Sequence, residues 1–203
     1  VSERAKRSIA ASLGCLLALA LLAALSFGSD SLQRLDARAL HRLSMQRDAP
    51  LGDVAGAIAH LGDPLPQVLL LAGACLVALH FYGSERALAV VALVAGANLT
   101  TQLLKLALAQ PRLQPILGYY QVGETAFPSG HTTAAAAMTY AYVLAAPRRR
   151  RMLAATAGAV LTVAVGASLV VLRKHFPSDV LGGLLVASVW FFATLAVLRA
   201  RAG

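Results

Sequence analysis

Three short segments of this chain hold residue types that can grip an oxyanion and move a proton. The first pairs Lys105 with Arg112, the second is Pro128-Ser129-Gly130-His131, and the third runs from Ser168 to Asp179 and contains His175. Lys105 and Arg112 are seven apart, close to two helical turns, and Pro111 breaks the helix just before the guanidinium. Ser129 and Gly130 stand where a polar loop meets an alanine-rich run, so they open a helix whose first N–H groups are free to bind an anion. Ser129 also reads as a plain N-cap, and capping and anion binding are nearly the same physics here. His131 separates the two, because a cap needs no imidazole. His175 and Asp179 are four apart, a spacing that lets a carboxylate hold one ring nitrogen and expose the other. An imidazole fixed in one tautomer is a competent nucleophile when neutral.

The elements that position these residues are membrane helices. Of 203 residues, 58% are hydrophobic and only 13% charged, too little charge for a water-soluble domain of this length. Apolar runs of about 20 residues, enough to cross a hydrocarbon core, predict one all-α domain over 1–203 with six transmembrane helices. The expected spans are 8–28, 65–82, 87–109, 131–146, 152–172 and 179–198. The first resembles a signal peptide but is too long for one and lacks a cleavage site, so it reads as a retained helix. Asn98 and Gln102 continue a polar stripe above Lys105, and hydrogen bonding between helices explains them as well as ligand contact does. Cys15 and Cys75 fall inside apolar runs and read as small core residues.

The net charge of +9 includes a cluster at Arg148-Arg149-Arg150-Arg151, which in so apolar a chain anchors the cytoplasmic face against anionic lipid and does not imply nucleic acid. Ten of the eighteen Lys and Arg fall at the two ends and in the second and fourth connections. The positive-inside rule places that side, with both termini, in the cytoplasm of a plasma (inner) membrane protein, and the three segments on the extracytoplasmic side. Within 29–64, Leu32, Leu35, Ala39, Leu40 and Leu43 recur at near-helical spacing with Arg34, Arg38, His41 and Arg42 elsewhere. This predicts an interfacial amphipathic helix, either capping the bundle or serving as a lid that admits lipid. Glu124, His60 and Asp63 line the entrance or hold structure.

Lys-x6-Arg, Pro-Ser-Gly-His and Ser-x6-His-x3-Asp, in this order at helix ends, resemble the type 2 phosphatidic acid phosphatase (PAP2) superfamily. The resemblance implies a six-helix membrane core whose site faces away from the cytoplasm. It implies that His175 attacks phosphorus to give phosphohistidine, that Asp179 orients it, and that His131 protonates the leaving oxygen and then activates water. It further implies that Lys105, Arg112, Ser129 and the Gly130 N–H hold the phosphoryl oxygens, with no metal or other cofactor. Two positions depart from the family pattern. Leu113 follows Arg112 where the family has proline, and Leu169 replaces a phosphate-binding arginine. Arg173, four residues after Leu169, is expected to compensate from the same helix face.

The expected substrate is a membrane lipid phosphate, either phosphatidic acid, phosphatidylglycerol phosphate or a polyprenyl (pyro)phosphate. Transfer of the phosphoryl group to a lipid acceptor is the alternative chemistry, and a degenerate lipid-phosphate-binding protein the non-enzymatic one. A metal-dependent enzyme would need clustered carboxylate ligands that the sequence does not supply. The two imidazoles need opposite protonation states, which predicts a bell-shaped dependence of rate on pH.

Overall fold

The computed structural model describes residues 2–44, 50–110 and 122–201, and Arg112 therefore lies outside the described residues. Among the described residues eight α-helices follow one another: α1 (Glu3–Gly28), α2 (Asp30–Ser44), α3 (Pro50–Ala59), α4 (Pro64–Tyr82), α5 (Ser84–Ala107), α6 (Gly130–Ala145), α7 (Arg151–Val171) and α8 (Pro177–Arg201). Helices α1, α4, α5, α6, α7 and α8 cover the six ranges expected as spans to within about five residues. Five of these, α1, α4, α5, α7 with its preceding turn, and α8, are long and apolar enough to cross a membrane, with mean hydropathy of 1.8–2.4. The 16-residue α6 is shorter.

Local chemistry sets the boundaries. The Ser2 hydroxyl accepts from the Ala5 N–H to open α1, and Pro64 starts α4, where its missing N–H is no loss. Gly83, at φ 82°, turns the chain between α4 and α5 in a conformation that a side chain would strain. At the end of α7, Lys174 N–H bonds Leu169 C=O and Arg173 N–H bonds Val170 C=O. That is a Schellman motif, and its left-handed residue is Arg173, at φ 57°, where glycine is usual.

The core sits around α6, which packs on α4, α5, α7 and α8, while α1 lies chiefly on α8. Small residues let these helices approach: Ala74, Ala78, Ala97, Ala137, Ala141 and Ala187 are all fully buried. Trp190 crosses the face of Gly96, where a Cβ would come within 2.5 Å of its ring, and its indole N–H donates to Thr100. Outward faces stay apolar, Leu17 being 71% exposed, Leu106 76% and Met152 76%, a belt suited to hydrocarbon.

The bundle has two chemically distinct ends. At one, Arg151 donates to the Tyr82 hydroxyl, Arg86 stacks over that ring at 4.4 Å, Arg199 bonds Ser8, and Arg201 pairs with Glu85 at 3.1 Å. The other end carries the loop before α6 and the start of α8. There the tightest approach is at Gly183, where a Cβ would lie 2.5 Å from the Ser129 carbonyl oxygen and 3.0 Å from the Thr133 nitrogen. Both obstacles are backbone. Gly183→Ala is therefore expected to cost about 1–3 kcal/mol, measured as a lower thermal midpoint in detergent; an unchanged midpoint would show that α6 and α8 can part freely.

Among the described residues, the segment joining α1 to α4 contains two helices and a short turn, and α2 buries one face and leaves the other exposed. The face of α2 that is buried is Gln33, Asp36, Ala37, Leu40 and Ser44. Leu35 and Leu43 point outward at 61% and 49% exposure. The reason is a polar anchor: Asp36 accepts from both the N–H and the hydroxyl of Ser178, satisfying the start of α8 from a distant helix. Burying that carboxylate turns the leucines away.

Candidate active site

The Ser129 hydroxyl accepts from Thr132 Oγ1 at 3.0 Å and from the Thr132 N–H, so it caps α6. Its side chain is fully buried. The preceding Phe127–Pro128 peptide is cis, and the Ser129 N–H donates to the Asp179 carbonyl at 2.9 Å. That bond joins the second expected segment to the third. Asp179 is the third residue of α8, and its carboxylate reaches back to the Phe176 N–H at 2.8 Å, half of a capping box. The same oxygen lies 3.5 Å from His175 Nδ1. Nδ1 is buried and forms no hydrogen bond among the described residues, while the ring as a whole keeps about 10% of its surface exposed.

Lys105 approaches from α5. Its ammonium donates to the Thr125 carbonyl at 2.9 Å, which ties α5 to the loop before α6, and Asp179 is near enough to act on it electrostatically. Among the described residues a Cβ on Gly130 would meet only Lys105 Cε, at 3.8 Å. Lys105, Gly130 and His131 share a cavity of about 430 Å³ between α4, α5 and α6. Asn98 and Gln102 line its wall, and Val68, Leu71 and Val94 make it apolar further in. His175 and Asp179 are not part of that lining. They are joined to it through Ser129.

One expectation about the missing arginine is altered. Leu169 is fully buried in an apolar cluster with Ala59, Ala135 and Val165. The argument that placed Arg173 on the same helix face fails, because α7 stops at Val171 and Arg173 takes the left-handed conformation that ends it. Arg173 is carried by a turn two residues before His175, not by a helix four residues after Leu169.

Residues 60–63 contribute more than an entrance. The Asp63 carboxylate lies 3.1 Å from His131 Nε2 and 2.7 Å from His60 Nδ1. Hydrogen bonds from His60 and then His131 hold the Asp63 carboxyl below the usual carboxylate range. The contact joins positions 68 apart, and no local pattern announces it. Glu124 is exposed in the loop before α6. Among the described residues no group of three His, Cys, Asp or Glu side chains converges as a metal site would require.

Comparison with known proteins follows this geometry. A family model described as the PAP2 superfamily matches residues 86–202. Over 77 residues, 38% of this chain and 31% of the relative, the sequence is 38% identical to a lipid A 1-phosphatase of Rhizobium etli. A lipid A 1-phosphatase of Rhizobium johnstonii matches at 38% identity over 77 residues, 38% of this chain and 29% of that relative. The matched stretch is thus about a third of the length of either curated relative. A crystal structure of a transmembrane PAP2 type phosphatidylglycerolphosphate phosphatase from Bacillus subtilis superposes with a TM-score of 0.75, over 95% of this chain and 98% of that one. At 23% identity that likeness is one of fold.

Proposed function

This chain belongs to the PAP2 superfamily, and on that premise we propose that it is an integral membrane lipid phosphate phosphatase working through a phosphohistidine. The observation that carries the reading is the 2.9 Å bond from Ser129 N–H to Asp179 C=O, which brings the loop bearing His131 against the turn bearing His175 at one end of the bundle. Lys105 is drawn to the same place.

In this proposal a phosphoryl group sits against Lys105 and the Gly130 N–H, with Ser129 shaping the helix start. Arg112 and Arg173 supply further positive charge. His175, its Nδ1 turned to Asp179, attacks phosphorus through Nε2 as the bond to the leaving oxygen breaks, and His131 gives that oxygen a proton. The neutral His131 then takes a proton from water, whose oxygen attacks phosphorus and releases His175 as free imidazole. Catalysis here is positioning and charge stabilisation, the demands of phosphoryl transfer, with no metal.

α6 is the sixth span in this reading, since 16 residues rise about 24 Å and a tilted or thinned bilayer accommodates that. The arginine-rich end faces the cytoplasm of the inner membrane and the site faces outward. α2 lies at the interface with Leu35 and Leu43 toward lipid. The cavity beside Lys105, polar at the site and apolar deeper, accepts the neck of a lipid arriving from the bilayer. The lipid A 1-phosphatase and phosphatidylglycerolphosphate phosphatase relatives support a phosphomonoester on a lipid.

The test is phosphate release from phosphatidic acid, phosphatidylglycerol phosphate, lipid A and polyprenyl (pyro)phosphates by detergent-purified protein in excess chelator. Free phosphate marks hydrolysis and phosphorylated lipid marks transfer. Release from none removes the reading.

Arg173 has its own test. Glycine suits the left-handed position better than arginine does, so Arg173→Gly is expected to leave the thermal midpoint level or higher while raising KM roughly tenfold to a hundredfold, the worth of one charged hydrogen bond. An unchanged KM would assign Arg173 to the helix end alone.

A further inference from the structure

Asp63 is the N-cap residue of α4, yet its side chain makes no capping bond. Aspartate at this position ordinarily accepts from the helix's own N–H groups. Here both oxygens are spent elsewhere, Oδ1 at 3.1 Å from His131 Nε2 and Oδ2 at 2.7 Å from His60 Nδ1. Gly62 completes the arrangement. A Cβ there would lie 2.6 Å from His131 Cδ2, so only glycine lets the turn lie flat against the ring. Three successive features of one turn thus address one imidazole on another helix.

We infer that the 60–63 turn is the positioning element for His131, with Asp63 accepting its Nε2–H, His60 steadying the carboxylate, and Gly62 bearing on the ring. The inference rests on the proposed role of His131 as proton donor. A ring whose Nε2–H is committed to a carboxylate keeps Nδ1 for proton traffic, and the same carboxylate stabilises the protonated ring that must donate. In the first half-reaction Nδ1–H passes its proton to the leaving oxygen. In the second, the Nδ1 lone pair takes one from water. The arrangement mirrors His175 and Asp179, with a carboxylate behind each imidazole. The two carboxylates reach the site from opposite ends of the sequence.

The charged groups around His131 come from several elements. Asp63 and His60 belong to the turn, Lys105 faces the same cavity from α5, and Asp179 of α8 acts on Lys105.

The experiment is 15N NMR of histidine-labelled full-length protein in detergent, together with pH–rate profiles, for the native chain, Asp63→Asn and Asp63→Glu. The native His131 ring is expected as the Nε2–H tautomer, and Asp63→Asn as a mixture. Removing the carboxylate charge beside the ring should move the alkaline limb of kcat to lower pH, with KM little changed. Asp63→Glu should restore both readouts in part. Should Asp63→Asn fail to fold, His60→Ala at an exposed site is expected to shift the tautomer balance in the same direction. A tautomer and an alkaline limb indifferent to Asp63→Asn would overturn the inference while leaving phosphatase activity intact. A fixed tautomer in a protein that hydrolyses no lipid phosphate would overturn the proposed function and leave the positioning in place.

Discussion

His175→Ala is expected to lower phosphate release by at least about a thousandfold while leaving the bundle folded and the lipid still bound. If the ring attacks phosphorus, no other group reached by the site can replace it, and losses from removing a nucleophile are of this order or larger. The ring is mostly buried, at 8% exposure, but lies in the α7–α8 connection and not in the central cluster around α6, so its truncation should spare the fold. Brief reaction with 32P-labelled lipid phosphate and alkaline quenching should trap an acid-labile phosphoprotein in the native chain and none in the variant. Substantial turnover by His175→Ala, or label retained in it, would remove His175 from the nucleophile's role.

Asp179→Asn is expected to have the next largest effect, a fall in kcat of about a thousandfold to ten-thousandfold, by analogy with the tautomer error that follows the same change behind a catalytic histidine. The amide keeps the shape of the carboxylate, but one oxygen serves both the Phe176 N–H and His175 Nδ1, so turning the amide nitrogen to the ring gives up the Phe176 bond at a cost of about 1 kcal/mol to the start of α8. The Ser129 bond uses the Asp179 backbone carbonyl and is untouched. What changes is the partner of His175 Nδ1, which lies 3.5 Å from the carboxylate in the native chain. An amide nitrogen there favours a ring with its lone pair on Nδ1 and its proton on Nε2, the nitrogen that must attack. A thermal midpoint near native beside that loss of kcat separates this role from a structural one. A loss smaller than tenfold would leave Asp179 as a helix cap.

Much of this protein was written locally. Apolar runs set six helices to within a few residues, because a helix in hydrocarbon must satisfy its own backbone and so needs length and little else. The Ser129 cap, the break after Val171 and the start at Pro64 rest on residues within a turn of each boundary. The dispersal of arginines foretold that one end of the bundle would gather them, since charge seeks the aqueous face whatever the packing. His175 and Asp179 were legible as a pair because four residues of chain hold them together.

Tertiary packing decided the rest. The pattern in α2 marked an amphipathic helix without saying which side the bundle would cover; Asp36 bonding Ser178 fixed that side together with Leu40 and left Leu35 and Leu43 outward. The meeting of Asp63 with His131, and of Ser129 with Asp179, spans 68 and 50 positions of sequence. Periodicity tells which way a side chain leaves its own helix. It says nothing of which other helix waits there, because that depends on how closely a residue such as Gly183 lets two backbones approach, or one such as Gly62 lets a turn approach a side chain.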